Sequence, residues 1–432
     1  MPESLRIIAS EIDPQLLALP WRTPLAEWPR EYIVKLPKGI SRHTVRFSEL
    51  SGRVVAVKET TEDMARREYE MLGALQRLEI PCVRRVAVIA GRADASGQAL
   101  PAALVTAHLS FSMPYRALFT QTLRPDTATR LVDALALLLV RLHTVGFYWG
   151  DVSLSNTLFR RDAGSFAAHL VDAETGELHE GADAGGGLTE GQREHDLDLA
   201  RTNIAGELMD LAASGRIESD VDAIRIADGL VEAYRSLWAE LTEKESFHVS
   251  ESWRITERVR RLNELGFDIG EMAIQTAEDG AHVSIRPKVV DAGHHQRRLL
   301  RLTGLDVQEN QARRLLNDLD EYRIRTGRSE DEEEIVAREW LTRVFEPVVR
   351  AIPFELRAKL EPAEVFHQVL EHRWHLSEAR GSWVPLAETL SSYIDTVLRH
   401  RRDEATIMGP LTDTLTAPVA TTSPERDWRD LV

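Results

Sequence analysis

Two stretches decide the fold of this chain: Trp149-Gly-Asp-Val-Ser-Leu-Ser-Asn-Thr-Leu-Phe159 and Leu170-Val-Asp172. Together they place an Asp and an Asn five positions apart and a second Asp at the end of a short apolar strand. Phosphoryl transfer needs one carboxylate to orient the attacking hydroxyl, and an amide and a second carboxylate to hold metal ions. The spacing therefore predicts Asp151 as the catalytic group and Asn156 and Asp172 as metal ligands.

The upstream sequence supplies further groups in a compatible order. A β-branched run, Gly52-Arg-Val-Val-Ala-Val-Lys58, predicts a strand ending in a lysine that reaches the α- and β-phosphates of ATP. Residues 62 to 78 follow with apolar side chains at helical spacing. This helix carries Glu68, the expected ion-pair partner of Lys58. Glu70 stays open as the alternative, because the helix register is not fixed by the sequence alone.

These motifs resemble the protein-kinase-like superfamily. Gly150-Asp-Val-Ser-Leu-Ser-Asn156 is similar to the His-Gly-Asp-Leu-Ser/Thr-x-x-Asn loop of RIO-type and other atypical kinases, and bacterial lipopolysaccharide (Kdo) kinases carry a similar loop. Arg67-Glu-Tyr-Glu-Met-Leu72 with Ile80-Pro-Cys-Val83 resembles the RIO helix and its exit. The resemblance covers roughly residues 31 to 240. It implies a two-lobed α+β kinase-like fold and a kinase that uses ATP with Mg²⁺ or Mn²⁺.

Three departures from the family pattern stand out. Trp149 occupies the place of a His, and Asp172-Ala-Glu174 replaces Asp-Phe-Gly. The expected nucleotide loop, residues 36 to 43, contains a single glycine. We expect Gly39 and Ser41 to help bind the phosphates, because backbone amides and a hydroxyl can still donate to them, with Arg42 or His43 as additional groups.

Composition narrows the protein class. The 432 residues carry a formal net charge of −16, which argues against general affinity for nucleic acid. No stretch approaches the roughly 18 consecutive apolar residues of a membrane span. One cysteine, Cys82, excludes an intrachain disulfide framework and suits a reducing cytoplasm. These features predict a cytoplasmic protein. The kinase resemblance implies a bacterial source, with ATP and an unknown protein or small-molecule acceptor as partners.

The centre of the chain predicts the helical lobe. Leucines from Leu131 to Leu142 recur at helical spacing and predict the central helix, which ends at Gly146. A long helix is expected to open at Glu194. Either Asp196 or Asp198 braces the catalytic loop, as an Asp does in related folds, or both simply favour the helix dipole. The sequence leaves this choice open.

The second half has a different pattern. Residues 272 to 290 alternate around Asp279-Gly280 and predict a β-hairpin. Predicted helices cover residues 308–325, 330–349, 362–372 and 386–401. Two phrases, Gly293-His-His-Gln-Arg-Arg298 and Glu371-His-Arg-Trp-His375, together with Glu309-Asn-Gln311 and the hairpin, resemble a bacterial domain family of unknown function found joined to kinase-like sequences. That resemblance implies the two-part architecture and no substrate.

Two alternative sites in this half are weaker than packing interpretations. His367, His372 and His375 could bind zinc, but no cysteine lies nearby, so capping or packing is favoured. Arginines around Arg297 and Arg313 could bind phosphates or RNA, although a solvated helix face paired with Glu309, Asp318 and Asp320 is favoured. Trp374 is expected to anchor packing between domains.

These observations predict the following organisation: an arm at 1–30, an N-lobe at 31–107, a C-lobe at 108–245, a mostly helical domain at 250–402, and a disordered tail at 403–432. Within the first two parts we expect a short helix at residues 11 to 19 and a strand at 32 to 36. The preferred function is an ATP-dependent phosphotransferase. The alternatives are a nucleotide-binding switch or slow ATPase, and a pseudokinase scaffold whose C-terminal domain binds a partner.

Overall fold

The computed structural model describes residues 4–11, 13–34, 36, 43–119, 125–179, 187–215, 217, 221–276 and 282–405. Its strands are β1 Arg6–Ala9, β2 Val45–Leu50, β3 Arg53–Thr60, β4 Arg85–Ala90, β5 Ala102–Ala107, β6 Ser112–Pro114, β7 Phe147–Tyr148, β8 Thr157–Asp162, β9 Ser165–Leu170, β10 Glu177–Leu178, β11 Glu245–His248, β12 Phe267–Thr276 and β13 His282–Ala292. Its helices are α1 Glu62–Arg77, α2 Tyr115–Phe119, α3 Pro125–Thr144, α4 Glu190–Ala213, α5 Ala223–Thr242, α6 Trp253–Glu264, α7 His294–Thr303, α8 Glu309–Arg325, α9 Glu333–Trp340, α10 Glu346–Arg350, α11 Pro362–Arg380 and α12 Leu386–Thr396. Among these described helices, none combines the length and the apolar character that crossing a membrane requires.

The N-terminal lobe is an antiparallel sheet with one helix against it. Its strands lie in the order β1-β4-β5-β3-β2, and α1 packs on β4 and β5. Residues 1–30, predicted as an arm, contribute β1 at the edge of this sheet. Apolar side chains that follow, among them Leu16, Trp21 and Leu25, are buried against the sheet.

Two local predictions in this lobe are wrong. The helix expected at residues 11 to 19 is a short 3₁₀ turn, Pro14–Ala18, capped by the Asp13 side chain. The segment expected to form a strand at 32 to 36 instead begins with Tyr32, the last residue of a 3₁₀ turn that starts at Arg30. Prolines precede or open both turns and fix φ at values that suit them.

The C-terminal lobe is built around α3. Its leucines are buried where helical spacing predicts, and α3 packs on α5 and β9 while α4 packs on α5. The long helix α4 begins at Glu190 rather than at Glu194, because Thr189 and Gln192 form a capping box with each other's backbone. This order of a β-rich lobe followed by a helical lobe confirms the predicted α+β, kinase-like class.

The core of the C-lobe extends beyond residue 245. Leu262 of α6, Phe267 of β12 and Val290 of β13 belong to the same buried cluster as the leucines of α3. The predicted hairpin is present as β12 and β13, which pair antiparallel with β11 on the other side of β13. Its turn, residues 277–280, lies outside the described residues.

The remaining helices form a second core. Trp340, Phe366 and Tyr393 are almost fully buried in it, together with apolar side chains of α7 to α12. The helix predicted at 330–349 runs from Glu333 to Arg350 but contains a π-helical turn, Leu341–Phe345. Helix α11 continues to Arg380, eight residues beyond the prediction, and ends at Gly381 in the left-handed conformation. Most of the predicted tail, residues 406–432, lies outside the described residues.

The two cores meet at the turn of the β8–β9 hairpin. The Asp162 carboxylate accepts the backbone N–H groups of Asn310 at 3.1 Å and Gln311 at 2.7 Å, at the first turn of α8. The Glu364 carboxylate of α11 accepts the backbone N–H of Ala163 at 3.0 Å. We call this set of contacts the hairpin joint. It links residues about 150 to 200 positions apart and caps a helix N-terminus with a buried acid.

Candidate active site

Strand β3 delivers Lys58 to the cleft between the lobes. Val55 and Val57 alternate into the sheet core, so Lys58 lies on the opposite face. Its Nζ lies 3.0 Å from Glu68 Oε2, 2.7 Å from Asp172 Oδ2 and 3.0 Å from Glu174 Oε2. Three carboxylates therefore surround one ammonium.

Helix α1 fixes the register that the sequence left open. Thr61 caps its N-terminus, and Glu68 is 2% exposed on its buried face, whereas Glu70 is exposed. Burial and the neighbouring Asp172 charge raise the pKa of Glu68 to about 8, although Lys58 opposes the shift. For Lys58, burial lowers the pKa, but Glu68 and Asp172 outweigh it, and the net shift is upward. The ammonium therefore stays charged at neutral pH.

The candidate catalytic loop, residues 149–156, brings Asp151 and Asn156 into contact. Asn156 Nδ2 donates to Asp151 Oδ2 and to the Asp151 carbonyl, both at 3.0 Å. One carboxylate oxygen of Asp151 is thus held in place by the amide. Gly150, immediately before Asp151, has φ +75°, a conformation that glycine adopts without strain.

Asp196 braces this loop from helix α4. It is fully buried and accepts the backbone N–H groups of Trp149 and Gly150, each at 2.8 Å. His143 Nε2 lies 3.1 Å from the same carboxylate, and its Nδ1 lies 2.7 Å from the Tyr234 hydroxyl. Burial lowers the pKa of His143, so a neutral ring can donate to Asp196 and accept from Tyr234. Asp198 is exposed, which leaves the brace to Asp196.

Trp149 has a specific contact in the site. Its indole Nε1 donates to the Asp172 carbonyl at 3.0 Å, and the side chain is fully buried. This hydrogen bond joins the candidate catalytic loop to the segment that carries the candidate metal ligand Asp172. A residue that departs from the family pattern thus connects the two segments that carry the catalytic and metal-binding candidates.

Two groups that the sequence analysis did not assign also belong to the cleft. Glu174 contacts Lys58 and lies 3.5 Å from His43. Glu207 accepts the backbone N–H groups of Leu154 at 2.9 Å and Ser155 at 3.0 Å. The Asp172-Ala-Glu174 triplet itself was the signal for Glu174. No local pattern pointed to Glu207, which lies 52 residues from its partner.

The cleft has a volume of about 680 Å³, which suits a nucleotide-sized ligand. One part is apolar and lies beside β5, and the other carries the charged groups. The apolar lining includes Ala56, Val83, Leu104 and Val171. Lys58, Asp151, Asn156 and Asp172 line the polar part, while Gly39 and Ser41 lie outside the described residues.

The donor set fits a hard divalent cation. Glu68, Asp172 and Glu174 form, in the described part of the chain, the group of potential ligands that could hold a metal ion. Oxygen donors of this kind are those that Mg²⁺ and Mn²⁺ prefer. Within the same residues, His367, His372 and His375 form no such group, and His372 Nε2 lies 3.0 Å from the Ser392 hydroxyl.

Comparison with known families gives two matches, one in each half of the chain. Residues 48–185 match the lipopolysaccharide kinase (Kdo/WaaP) family, and residues 236–398 match a domain of unknown function, DUF4032. We refer to the parts of the chain that give these two matches as the kinase-family region and the DUF4032 domain. The matches confirm the resemblance to Kdo kinases and to a C-terminal family of unknown function, while the RIO likeness stays a prediction. The kinase-family match supports a kinase-like phosphotransferase, and such families use ATP and divalent metal ions.

Solved structures with similarity include WaaP in complex with acyl carrier protein. The match is 16% identical, covers 60% of this chain and 99% of that chain, and has a TM-score of 0.35. No curated protein matches the chain significantly.

Two interpretations of the DUF4032 domain change with the structure. Trp374 is 59% exposed, so the prediction that it anchors packing between domains is wrong. The arginines of α7 are paired, but with acids other than those expected: Arg297 with Asp268 at 2.6 Å, and Arg298 with Glu333.

Proposed function

We propose that this chain is an ATP-dependent phosphotransferase in which Asp151 orients the acceptor hydroxyl. The observation that carries the proposal is the convergence of Lys58, Asp151, Asn156 and Asp172 on one cleft of nucleotide size. Lys58 comes from a strand, Asp151 and Asn156 come from a loop, and Asp172 follows the end of another strand. The fold therefore brings together residues that lie up to 114 positions apart in the sequence. The Kdo/WaaP match supports the same reaction class.

The proposed reaction uses the chain's residues as follows. The acceptor hydroxyl oxygen attacks the γ-phosphorus of ATP, the bond from that phosphorus to the β,γ-bridging oxygen breaks, and ADP leaves. Asp151 accepts the hydroxyl proton, because Asn156 holds one of its carboxylate oxygens and leaves the other for the acceptor. Lys58 pairs with the phosphates after some of its contacts with Glu68, Asp172 and Glu174 are replaced by contacts with phosphate oxygens. Asn156 and Asp172 would hold Mg²⁺ or Mn²⁺, which neutralises the phosphate charge when bound.

The test is phosphate transfer from γ-labelled ATP, scoring labelled protein and free phosphate together. Asp151→Ala should lower transfer by about 10²-fold or more, since positioned acid–base groups contribute that much, while nucleotide binding is retained. Asp172→Ala should weaken Mg²⁺-dependent nucleotide binding. Asp198→Ala, an exposed change on α4, serves as the matched control. Equal transfer by wild type and Asp151→Ala would contradict the assigned base.

A nucleotide-dependent switch is the second candidate, favoured by the hairpin joint. The β8–β9 hairpin carries Asn156 and Asp172 at one end and Asp162 at the other, where α8 of DUF4032 binds it. If the chain is a switch, the folded protein should bind Mg·ATP without transferring phosphate. Binding of Mg·ATP should then change the protease sensitivity of α8. Rapid transfer to an added acceptor argues against it. The reducing cytoplasm, which supplies ATP, is the proposed location for either function.

A further inference from the structure

A second cavity lies between the kinase-family region and the DUF4032 domain. It has a volume of about 560 Å³, within the range of small-molecule sites, which occur preferentially at domain interfaces. One wall is the turn of the β8–β9 hairpin with the start of α3. The other wall is α11 with the segment that follows α12. The residues proposed for phosphotransfer do not line this cavity: Lys58, Asp151, Asn156 and Asp172.

The charged side chains that line this cavity differ in how many hydrogen-bond and ion-pair partners they have. Glu364 is already engaged, because its oxygens accept from Ala163 N at 3.0 Å and from Gln368 Nε2 at 2.7 Å. Arg161 is likewise neutralised by Glu404, whose two oxygens accept from its Nε at 2.9 and 3.0 Å. Arg161 and Glu404 thus cancel each other's charge, whereas Glu364 keeps its charge and has its oxygens occupied by neutral protein donors.

Arg401 is different. Its side chain is half-buried and lines the cavity, and its Nε is buried without a hydrogen-bond partner. In the part of the chain that the structure describes, no carboxylate lies within ion-pair distance of its guanidinium. Cations that leave water are normally paired, since an uncompensated one is costly. Arg401 therefore lacks the counter-charge that the other buried arginine of this cavity has.

The neighbouring groups also favour an anion. Arg130 lines the cavity and donates to the Gly164 carbonyl, which fixes it at the hairpin wall. Burial lowers the pKa of His367 and of His372, so both rings are neutral hydrogen-bonding groups near pH 7. The remaining carboxylate, Glu371, is 57% exposed and lies at the rim. The cavity thus offers Arg401, the exposed Arg130 and neutral hydrogen-bonding groups, while the oxygens of Glu364 are occupied by protein donors. This arrangement favours an anion beside Arg401.

We propose that this cavity binds a small molecule carrying a phosphate or carboxylate group, with Arg401 as the principal cation and His367 as a hydrogen-bonding partner. The proposal is independent of the proposed phosphotransfer. The guanidinium provides planar donors matched to oxyanions. The ligand would replace the counter-charge that the protein does not supply.

The experiment is calorimetric titration of the full chain with pyrophosphate and, separately, with citrate, which distinguishes phosphate from carboxylate ligands. Lys58→Met is included because pyrophosphate could also enter the nucleotide cleft. The expected result is saturable binding of at least one anion, tighter than about 1 mM. That binding should persist in Lys58→Met and weaken at least about tenfold in Arg401→Met, since charged hydrogen bonds contribute this much.

Two further variants keep the test decisive. Arg399→Met removes an exposed arginine paired with Asp395 in the same segment and should leave binding unchanged. His367→Phe keeps the ring shape, removes a buried Nδ1 that has no partner, and should weaken binding while the protein stays folded. It replaces Arg401→Met if that variant misfolds. Absence of saturable binding, binding lost in Lys58→Met, or binding unchanged in Arg401→Met and His367→Phe overturns the proposal.

Discussion

At the residue scale, the cleft carries more negative than positive charge. Lys58 faces Glu68, Asp172 and Glu174, and the rise in the pKa of Glu68 reflects its burial and this crowding. ATP adds further negative charge, so binding depends on a cation that compensates for the carboxylates. Glu174 is the group that an Asp-Phe-Gly sequence would lack. Its contribution can be measured separately.

Glu174→Gln should raise the Mg²⁺ concentration needed for half-maximal ATP binding by about tenfold, because one oxygen donor near Asp172 loses its charge. Binding is measured by calorimetry over a Mg²⁺ series. Glu177→Gln is the control, since Glu177 is 53% exposed and pairs with Arg67. An identical Mg²⁺ dependence in wild type and Glu174→Gln would exclude a role for this carboxylate in metal binding.

The raised pKa of Glu68 predicts a pH dependence of stability in the nucleotide-free protein. The folded carboxyl titrates near 8 and the unfolded one near 4.5, so between these values the folded state binds more protons. The free energy of unfolding should therefore fall as pH rises from about 5 to 8, by at most about 1.4 kcal/mol per pH unit. Glu68→Gln should reduce that slope.

The measurement is urea unfolding at several pH values, comparing slopes between variants so that other titrating groups cancel. Glu70→Gln, on the exposed face of α1, provides the control. Parallel slopes for wild type and Glu68→Gln would show that Glu68 titrates normally.

At the element scale, the catalytic loop is held by neighbours on both sides. Helix α4 binds its backbone through Asp196, and the Trp149 indole binds the Asp172 carbonyl. Each bond fixes a short segment next to a catalytic or metal-binding candidate. The loop is therefore ordered by buried polar groups rather than by regular secondary structure, which makes it sensitive to their removal.

Asp196→Asn should lower the free energy of unfolding by about 2–4 kcal/mol, since the amide oxygen can accept only one of the two backbone N–H groups and the amide NH2 then faces the other in a buried site. Phosphate transfer should fall with it, because the backbone before Asp151 loses its acceptor. Thermal unfolding and transfer are measured beside Asp198→Asn, two residues away and exposed. Equal effects of the two changes would contradict the brace.

The sequence predicted the positions of some helices and strands better than others. The leucine stripe gave α3, and the alternation gave the hairpin, because burial follows these periods directly. The start of α4 was placed four residues late, although Thr189 and Gln192 carry a capping-box signal. The position of Trp374 between two histidines favoured packing between domains. The face of α11 that turns inward depends on tertiary contacts, however, and Trp374 lies on the exposed side.

At the scale of the whole molecule, the hairpin joint connects the two cores. Asp162 is buried and serves as the acceptor for the first turn of α8. Lys58, Asp151, Asn156 and Asp172 could be proposed from the sequence because their chemistry imposes short, ordered spacings. The joint could not, since nothing local relates Asp162 to residues about 150 positions later.

Asp162→Ala should destabilise the protein by about 2–4 kcal/mol, because the N–H groups of Asn310 and Gln311 lose their acceptor in a buried position. The DUF4032 core should then unfold at a lower denaturant concentration than the kinase-family core. Tryptophan fluorescence and circular dichroism would follow the two transitions. Asp395→Ala, an exposed change on α12, is the control, and coincident transitions in both variants would contradict the prediction.

The core of the C-lobe, to which both matched regions contribute, determines where the gene could be divided. Leu262, Phe267 and Val290 lie in the cluster that also contains the leucines of α3, although they belong to the DUF4032 match. A polypeptide ending at residue 245 would leave a hydrophobic surface uncovered and would be prone to aggregate. A shortened gene that keeps α6, β12 and β13, ending after Ala292, would retain that cover. The boundary at which evolution could recombine these parts is therefore later in the chain than the end of the kinase-family match suggests.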